Sequence, residues 1–172
     1  MTNQIHWRRY LIIILVTILV LLIVENRQKQ FESKEVPVFD FDKEAVTFFQ
    51  IQSATDTVGF IREDTLWVFQ EPDTGKVDQE RVEQFLETIV NLTRGSFIAS
   101  NPDFYSEYNL TDEKAYYVIF QGGDKILGKI FVGYSASSQV KDNIRYPEDP
   151  HVYQVNLKLT RFLNPSASYW RE

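Results

Sequence analysis

Hydrophobic and polar positions fall into three patterns along the chain. Residues 10–24 (YLIIILVTILVLLIV) show no period at all: fifteen residues carry no charge and, past the Tyr10 phenol at the edge, one hydroxyl, so a helix built from them is apolar on every face. Residues 45–52 (AVTFFQIQ), 57–62 (TVGFIR) and 66–70 (LWVFQ) are β-branched and aromatic, with short polar gaps between them. That combination predicts antiparallel hairpins. A helical period follows. Asp78 is placed as N-cap, Val77 and Val82 can staple across it, and Val82, Phe85, Leu86, Ile89 and Leu92 recur on one face while Glu80, Glu83, Glu87 and Asn91 fall elsewhere. Arg94 is expected in the last turn and Gly95 as the left-handed residue that ends the helix, whose stripe then covers a sheet.

The second part of the chain repeats the order. Asn101 caps a short helix with Pro102 at its first position, and Tyr108-Asn109-Leu110 closes it. Residues 115–120 (AYYVIF) and 125–132 (KILGKIFV) flank the turn Gly122-Gly123, and residues 144–146 and 152–155 supply two more short strands. Asn156 can cap a final helix carrying Leu159, Phe162 and Leu163, which must stop before Asn164-Pro165. The predicted class is α+β: a single N-terminal transmembrane helix, then an antiparallel-sheet domain with two covering helices. Strands and a helix occur twice in order, which suggests two similar strand–strand–helix halves, although no residue-level repeat is visible.

The unpatterned run changes where the protein is expected to sit. Fifteen helical residues reach about 22 Å, against a hydrocarbon core of roughly 30 Å. Trp7 and Tyr10 suit the headgroup level, Arg8 and Arg9 can snorkel outward, and the stems of Glu25 and Arg27 extend the end past Val24. A cleaved signal peptide is the competing reading, but ENRQKQFESKE after Val24 lacks the small-x-small pattern of a cleavage site. A buried core helix is the other alternative, and a run apolar on all faces argues against it. The Lys/Arg count on the two sides does not decide orientation. Arg8 and Arg9 abut the run, which favours the N-terminus inside. The expected organisation is a cytoplasmic tail at 1–9, a span in the bilayer of the inner (cell) membrane at 10–24, a stalk or linker at 25–38 and a periplasmic or extracellular domain at 39–172. Glu25 and Lys29 at i,i+4 spacing favour a helical stalk, and Val36 before Pro37 marks its break.

Charge and composition narrow the chemistry. From Val36 onward there are 13 Lys/Arg and 21 Asp/Glu, so the net charge is 13 − 21 = −8. Such a surface repels phosphate backbones, which makes nucleic acid an improbable partner. No cysteine is present, which removes disulfides, zinc–cysteine sites and thiol catalysis together. His6 stands in the N-terminal tail and His151 has no spaced partner that would make it catalytic. Pairs such as Asp112-Glu113 and Glu148-Asp149 lack the alternation and glycine of a calcium loop, and Gly122-Gly123 lacks a phosphate-cradle context. No cofactor, metal, small-molecule substrate or enzymatic activity is expected.

Trp67, Glu71-Pro72, Val82 and Leu86, then Tyr108-Asn109-Leu110, Arg145-Tyr146, Val152-Tyr153-Gln154-Val155, Asn164-Pro165 and Trp170-Arg171, occur in an order and spacing that resembles the bacterial domain-of-unknown-function family 4340. The resemblance covers nearly the whole chain. Two positions depart from it: Asn109 stands where the family usually has Gly, and Lys114 lies near a usual Pro. Asn is the next residue to tolerate the left-handed conformation, so the turn survives. The resemblance implies an N-terminal membrane segment and relatives encoded near gliding-motility-type ABC transporter components, and it supplies no catalytic residue.

Aromatic rings are what remains as candidate chemistry. Tyr116 and Tyr117 guarantee one ring pointing away from the core if they lie in a strand, and Tyr146 joins them as a candidate interaction surface; cross-strand pairing on a solvated face is the bland alternative. The expected function is a non-catalytic accessory or structural subunit that contacts a larger membrane protein complex through its outer domain and anchor helix. A free-standing extracytoplasmic glycan- or peptide-binding module is the alternative.

Overall fold

The structure, a computed structural model, describes residues 10–19 and 35–172. The chain divides between Lys34 and Glu35 into two units. In the first, residues 10–19 are helical (α1) and exposed along their length. Inside the apolar run the Thr17 hydroxyl donates to the Ile13 carbonyl at 2.9 Å, so it is satisfied within the helix. Among the described residues no helix is long and apolar enough to cross a membrane. Residues 20–24 of the expected span, including Val24, lie outside the described residues, as do Trp7, Arg8 and Arg9.

The second unit is α+β. Its strands are β1 Val36–Pro37, β2 Phe48–Gln52, β3 Thr57–Glu63, β4 Leu66–Phe69, β5 Thr93–Ala99, β6 Tyr116–Gly122, β7 Lys125–Gly133, β8 Asn143–Arg145 and β9 Val152–Val155, with helix α2 at Gln79–Val90. All nine form one antiparallel sheet in the order β1-β5-β9-β8-β7-β6-β2-β3-β4. Two meanders, β2–β3–β4 and β6–β7–β8–β9, are joined where β2 pairs with β6. Helix α2 carries the chain from β4 at one edge to β5 at the far end.

Asp78 starts α2 as the sequence predicts: its extended backbone lets the side chain accept from the Arg81 amide at 3.0 Å. Val82, Phe85, Leu86 and Ile89 form the buried stripe. They meet an aromatic core in which Phe49 stacks on Phe60 with centroids 4.4 Å apart and Phe85 meets Trp170 edge-on at 5.6 Å.

Several boundaries differ from expectation. The helix stops at Asn91, whose side-chain amide donates to the Glu87 carbonyl at 2.8 Å. Arg94 and Gly95 therefore do not end a helix but lie within β5, an irregular strand with two register shifts against β9. Val36–Pro37, assigned to the linker by sequence, pairs with β5, and Val38 and Phe39 are buried in the core. The expected closing helix after Asn156 is one turn of 3-10 helix at Leu159–Arg161. Its hydrogen bonds go elsewhere. The Thr160 amide and hydroxyl donate to Asp142 Oδ2 at 2.8 and 2.7 Å, while the buried Lys158 ammonium donates to the carbonyls of Ser135 at 2.8 Å and Ser138 at 2.9 Å and pairs with Asp142 Oδ1 at 3.0 Å. Only α2 is left as a covering α-helix among the described residues, and two like strand–strand–helix halves are not formed.

The opposite face of the sheet is covered at one end by residues 101–115. Asn101 accepts from the Asp103 amide at 3.0 Å and starts a 3-10 turn at Pro102–Phe104. Asn109 adopts φ 56°, the left-handed conformation expected of it, and its amide donates to the Tyr134 carbonyl at 3.0 Å. The segment lies so close to β7 that a Cβ on Gly133 would come 2.3 Å from the Tyr108 carbonyl oxygen. Leu110, Ala115 and Val152 are buried there as a second, small core.

Candidate functional site

The three tyrosines singled out by sequence end in three different settings. Tyr116 packs at the rim of the main core. Tyr146, one residue past β8, is turned to the same side: its hydroxyl donates to the Val38 carbonyl at 3.0 Å and accepts from Arg94 Nε at 3.2 Å. Burial pushes its phenol above the usual tyrosine range, with Arg94 pulling the other way. Tyr146 is thus a tie that holds β1 to the sheet rather than an outward ring. Tyr117 alone faces the other side, directly opposite Phe131 with ring centroids 5.0 Å apart. It makes the cross-strand pair and still borders open space.

That space is a cleft of about 320 Å³ lined by Tyr117, Phe131, Ala115, Pro147, Gln52, Ser53 and Asp112. Asp112 also lines a second cleft of about 450 Å³ with Asp103, Tyr105, Glu113 and Arg145, so the two adjoin at its carboxylate. Arg145 forms the wall between them and the small core. It is only 7% exposed, with its guanidinium carbon 3.6 Å from the Phe131 ring centroid and 4.7 Å from that of Tyr105. Its Nε donates to the Leu110 carbonyl at 2.9 Å and its Nη2 to Asp112. The backbone amide and the Thr111 hydroxyl hold the Glu113 carboxyl below the ordinary carboxylate range. The arrangement presents ring faces, an amide and hydroxyl, and a rim of carboxylates.

Sequence reasoning missed Arg145. Its signal was present but faint: in β8, Ile144 pairs with Val132 in the main core, so Arg145 must face the other side, opposite Phe131. It also treated His151 as partnerless. In the structure His151 meets Asp149 through its Nδ1 and its own amide, the latter at 3.0 Å, and Tyr153 donates its hydroxyl to the other Asp149 oxygen at 2.7 Å. The spacing Asp149, His151, Tyr153 is a period of two, which an extended chain places on one side. Burial raises the Asp149 carboxyl, but the His151 amide, the Tyr153 hydroxyl and the His151 ring outweigh it and hold it below the usual range. Phe97 closes over the imidazole at 4.7 Å and Arg94 over the Tyr153 ring at 3.9 Å. Among the described residues no group of three or more His, Asp or Glu is placed to hold a metal ion.

No curated protein and no solved structure matches the chain. Residues 67–172 match a family described as a domain of unknown function, DUF4340. The match begins inside β4, whose only sheet neighbour is β3, and β3 reaches the rest of the sheet through β2. The folded unit therefore extends upstream to Glu35. More than half of the sequence is covered, from the last strand of the first meander to the C-terminal residue, and the chain belongs to the DUF4340 family.

Proposed function

We propose that this chain is a non-catalytic accessory subunit, held in a membrane by residues 10–24 with its N-terminus inside the cell, whose sheet unit docks outside on a larger membrane protein assembly. A transporter is the assembly that the family resemblance suggests. One observation carries the reading: the sheet face that α2 does not cover bears apolar side chains between β4 and β6, with Leu66 58% and Ile61 38% exposed beside the half-buried Phe48, Val68 and Ile119. Contiguous apolar surface of this kind favours a partner, since its burial is worth about 25 cal/mol per Å². Tyr117 and its cleft border the same face. The apolar run supports the membrane half of the proposal, and its Thr17 hydroxyl is satisfied within α1.

Full-length protein purified from its native host in mild detergent tests the proposal. A membrane protein assembly is expected to co-purify in fixed ratio, and the double substitution Ile61→Lys and Leu66→Lys is expected to weaken that association at least tenfold with an unchanged unfolding midpoint. A monodisperse monomer with no companion, together with saturable glycan binding, overturns the proposal in favour of a free-standing binding module.

A further inference from the structure

The two adjoining clefts beside Tyr117 have opposite characters. One has a ring floor of Tyr117 and Phe131 with Ala115 and Pro147 at its side. The other has Tyr105 as its ring and three carboxylates, Asp103, Asp112 and Glu113, around it. The only cation lining either cleft is Arg145, and its charge is already engaged by Asp112 and the Leu110 carbonyl. The second cleft is therefore left with excess negative charge, on a stretch that from Val36 onward already carries a net charge of −8. Its chain also demonstrates which group these walls accept: the Arg145 guanidinium lies against Phe131 and Tyr105 at 3.6 and 4.7 Å while a carboxylate takes its Nη2. A second guanidinium entering from solvent would meet the same kinds of surface from the outside, Tyr105 for its face and Asp103 and Glu113 for its fork.

We propose that this double cleft is the point where the partner is read, and that it takes a basic side chain, arginine above all, followed by an apolar residue of a segment from the partner protein. The arginine enters between Tyr105 and the Asp103–Asp112–Glu113 rim, and the apolar neighbour lies on Tyr117 and Phe131. The proposal rests on the accessory-subunit reading and names the partner's chemistry at its contact. Complementary charge of this kind sets orientation and encounter, while the ring contact supplies the buried anchor.

The test uses the full-length protein in detergent micelles, titrated with Ac-Gly-Arg-Leu-Gly-NH2, with Ac-Gly-Glu-Leu-Gly-NH2 and with maltotriose, following the resonances of Tyr105 and Tyr117. Saturable binding of the arginine peptide alone is expected, weakened at least fivefold by Glu113→Gln with Asp103→Asn, two exposed carboxylates outside the Arg145 ion pair, and at least fivefold by added salt at 0.5 M. Equal response to the glutamate peptide, unchanged affinity in the double variant, or preference for maltotriose overturns it. Asp112→Asn alone is a poorer variant because it frees Arg145. Co-purification separates the two readings: an assembly that stays bound to the double variant as tightly as to the native chain removes the cleft as the contact while leaving the accessory role, whereas absence of any assembly on the native chain removes the role even if the peptide binds.

Discussion

On the α2 side the sheet is closed mainly by rings and aliphatic chains, with Phe49, Phe60, Phe85 and Phe120 within 6.2 Å of their neighbours and Leu86 and Ile89 pressed onto them, and the Gln79 amide ties the helix to the Trp67 backbone at 2.8 and 2.9 Å. On the other side residues 101–115 bury only Leu110 and Ala115 against Val152, and a guanidinium fastens them. The first closure is mostly non-directional and scales with area; the second is small in area and depends on where a few hydrogen bonds point, those of Arg145 and those of Tyr105 and Asn109 to the Pro150 and Tyr134 carbonyls. A face closed by area tolerates little loss of volume, while a face closed by a rivet can leave its surroundings open. The open region is where the clefts lie.

Leu86→Ala should break the first face hardest, with a loss of about 2–5 kcal/mol in denaturant unfolding of the full-length chain. A loss well under this range would mean that the two closures are alike. Arg145→Met removes the rivet but keeps apolar bulk against Phe131, so the main cost is the Leu110 carbonyl left without its donor, about 1–3 kcal/mol. Asp112 is 77% exposed and simply returns to water. Hydrogen exchange should quicken in residues 101–115 and stay unchanged in α2; faster exchange in α2 would show that the rivet holds both faces.

The smallest effect is expected at Asp149, where direction rather than area again does the holding. Its carboxyl is held below the ordinary range in the folded chain, so its contribution is complete above that range and is lost as pH falls through the folded value. Asp149→Asn should therefore show a shallower decline of unfolding midpoint below about pH 4 than the native chain. Parallel acid limbs would mean that the Tyr153 and His151 contacts do not survive in solution.

What could be read from the sequence was what local chemistry decides. Asp78 as cap, the stripe from Val82 to Ile89 and the left-handed Asn109 each follow from a few neighbouring residues, and each is found in place. Failures occurred where a distant group competes for a local one. Leu159, Phe162 and Leu163 have helical spacing, yet Asp142 takes the Thr160 amide from eighteen residues away. Gly95 resembles a helix stop because the partner that makes it a strand residue, β9, lies far along the chain. At the candidate site, alternation required one outward ring of Tyr116 and Tyr117 without saying which, and Tyr117 is the one opposite Phe131. Arg145 was not, since a charge in a strand is expected to face water and the segment that shields it arrives from residues 101–112.

Lys158 has a further consequence for the loop it holds. Carbonyls of Ser135 and Ser138 and the Asp142 carboxylate converge on its ammonium much as a loop's oxygens gather around a bound ion. Here the ion is stitched to the backbone. Its effective concentration at the loop is fixed by the chain and not by the surroundings, so it can be neither diluted away nor stripped by a chelator. Tyr134 and Val140, exposed on this loop, are thus displayed in a shape that owes nothing to the salts around it.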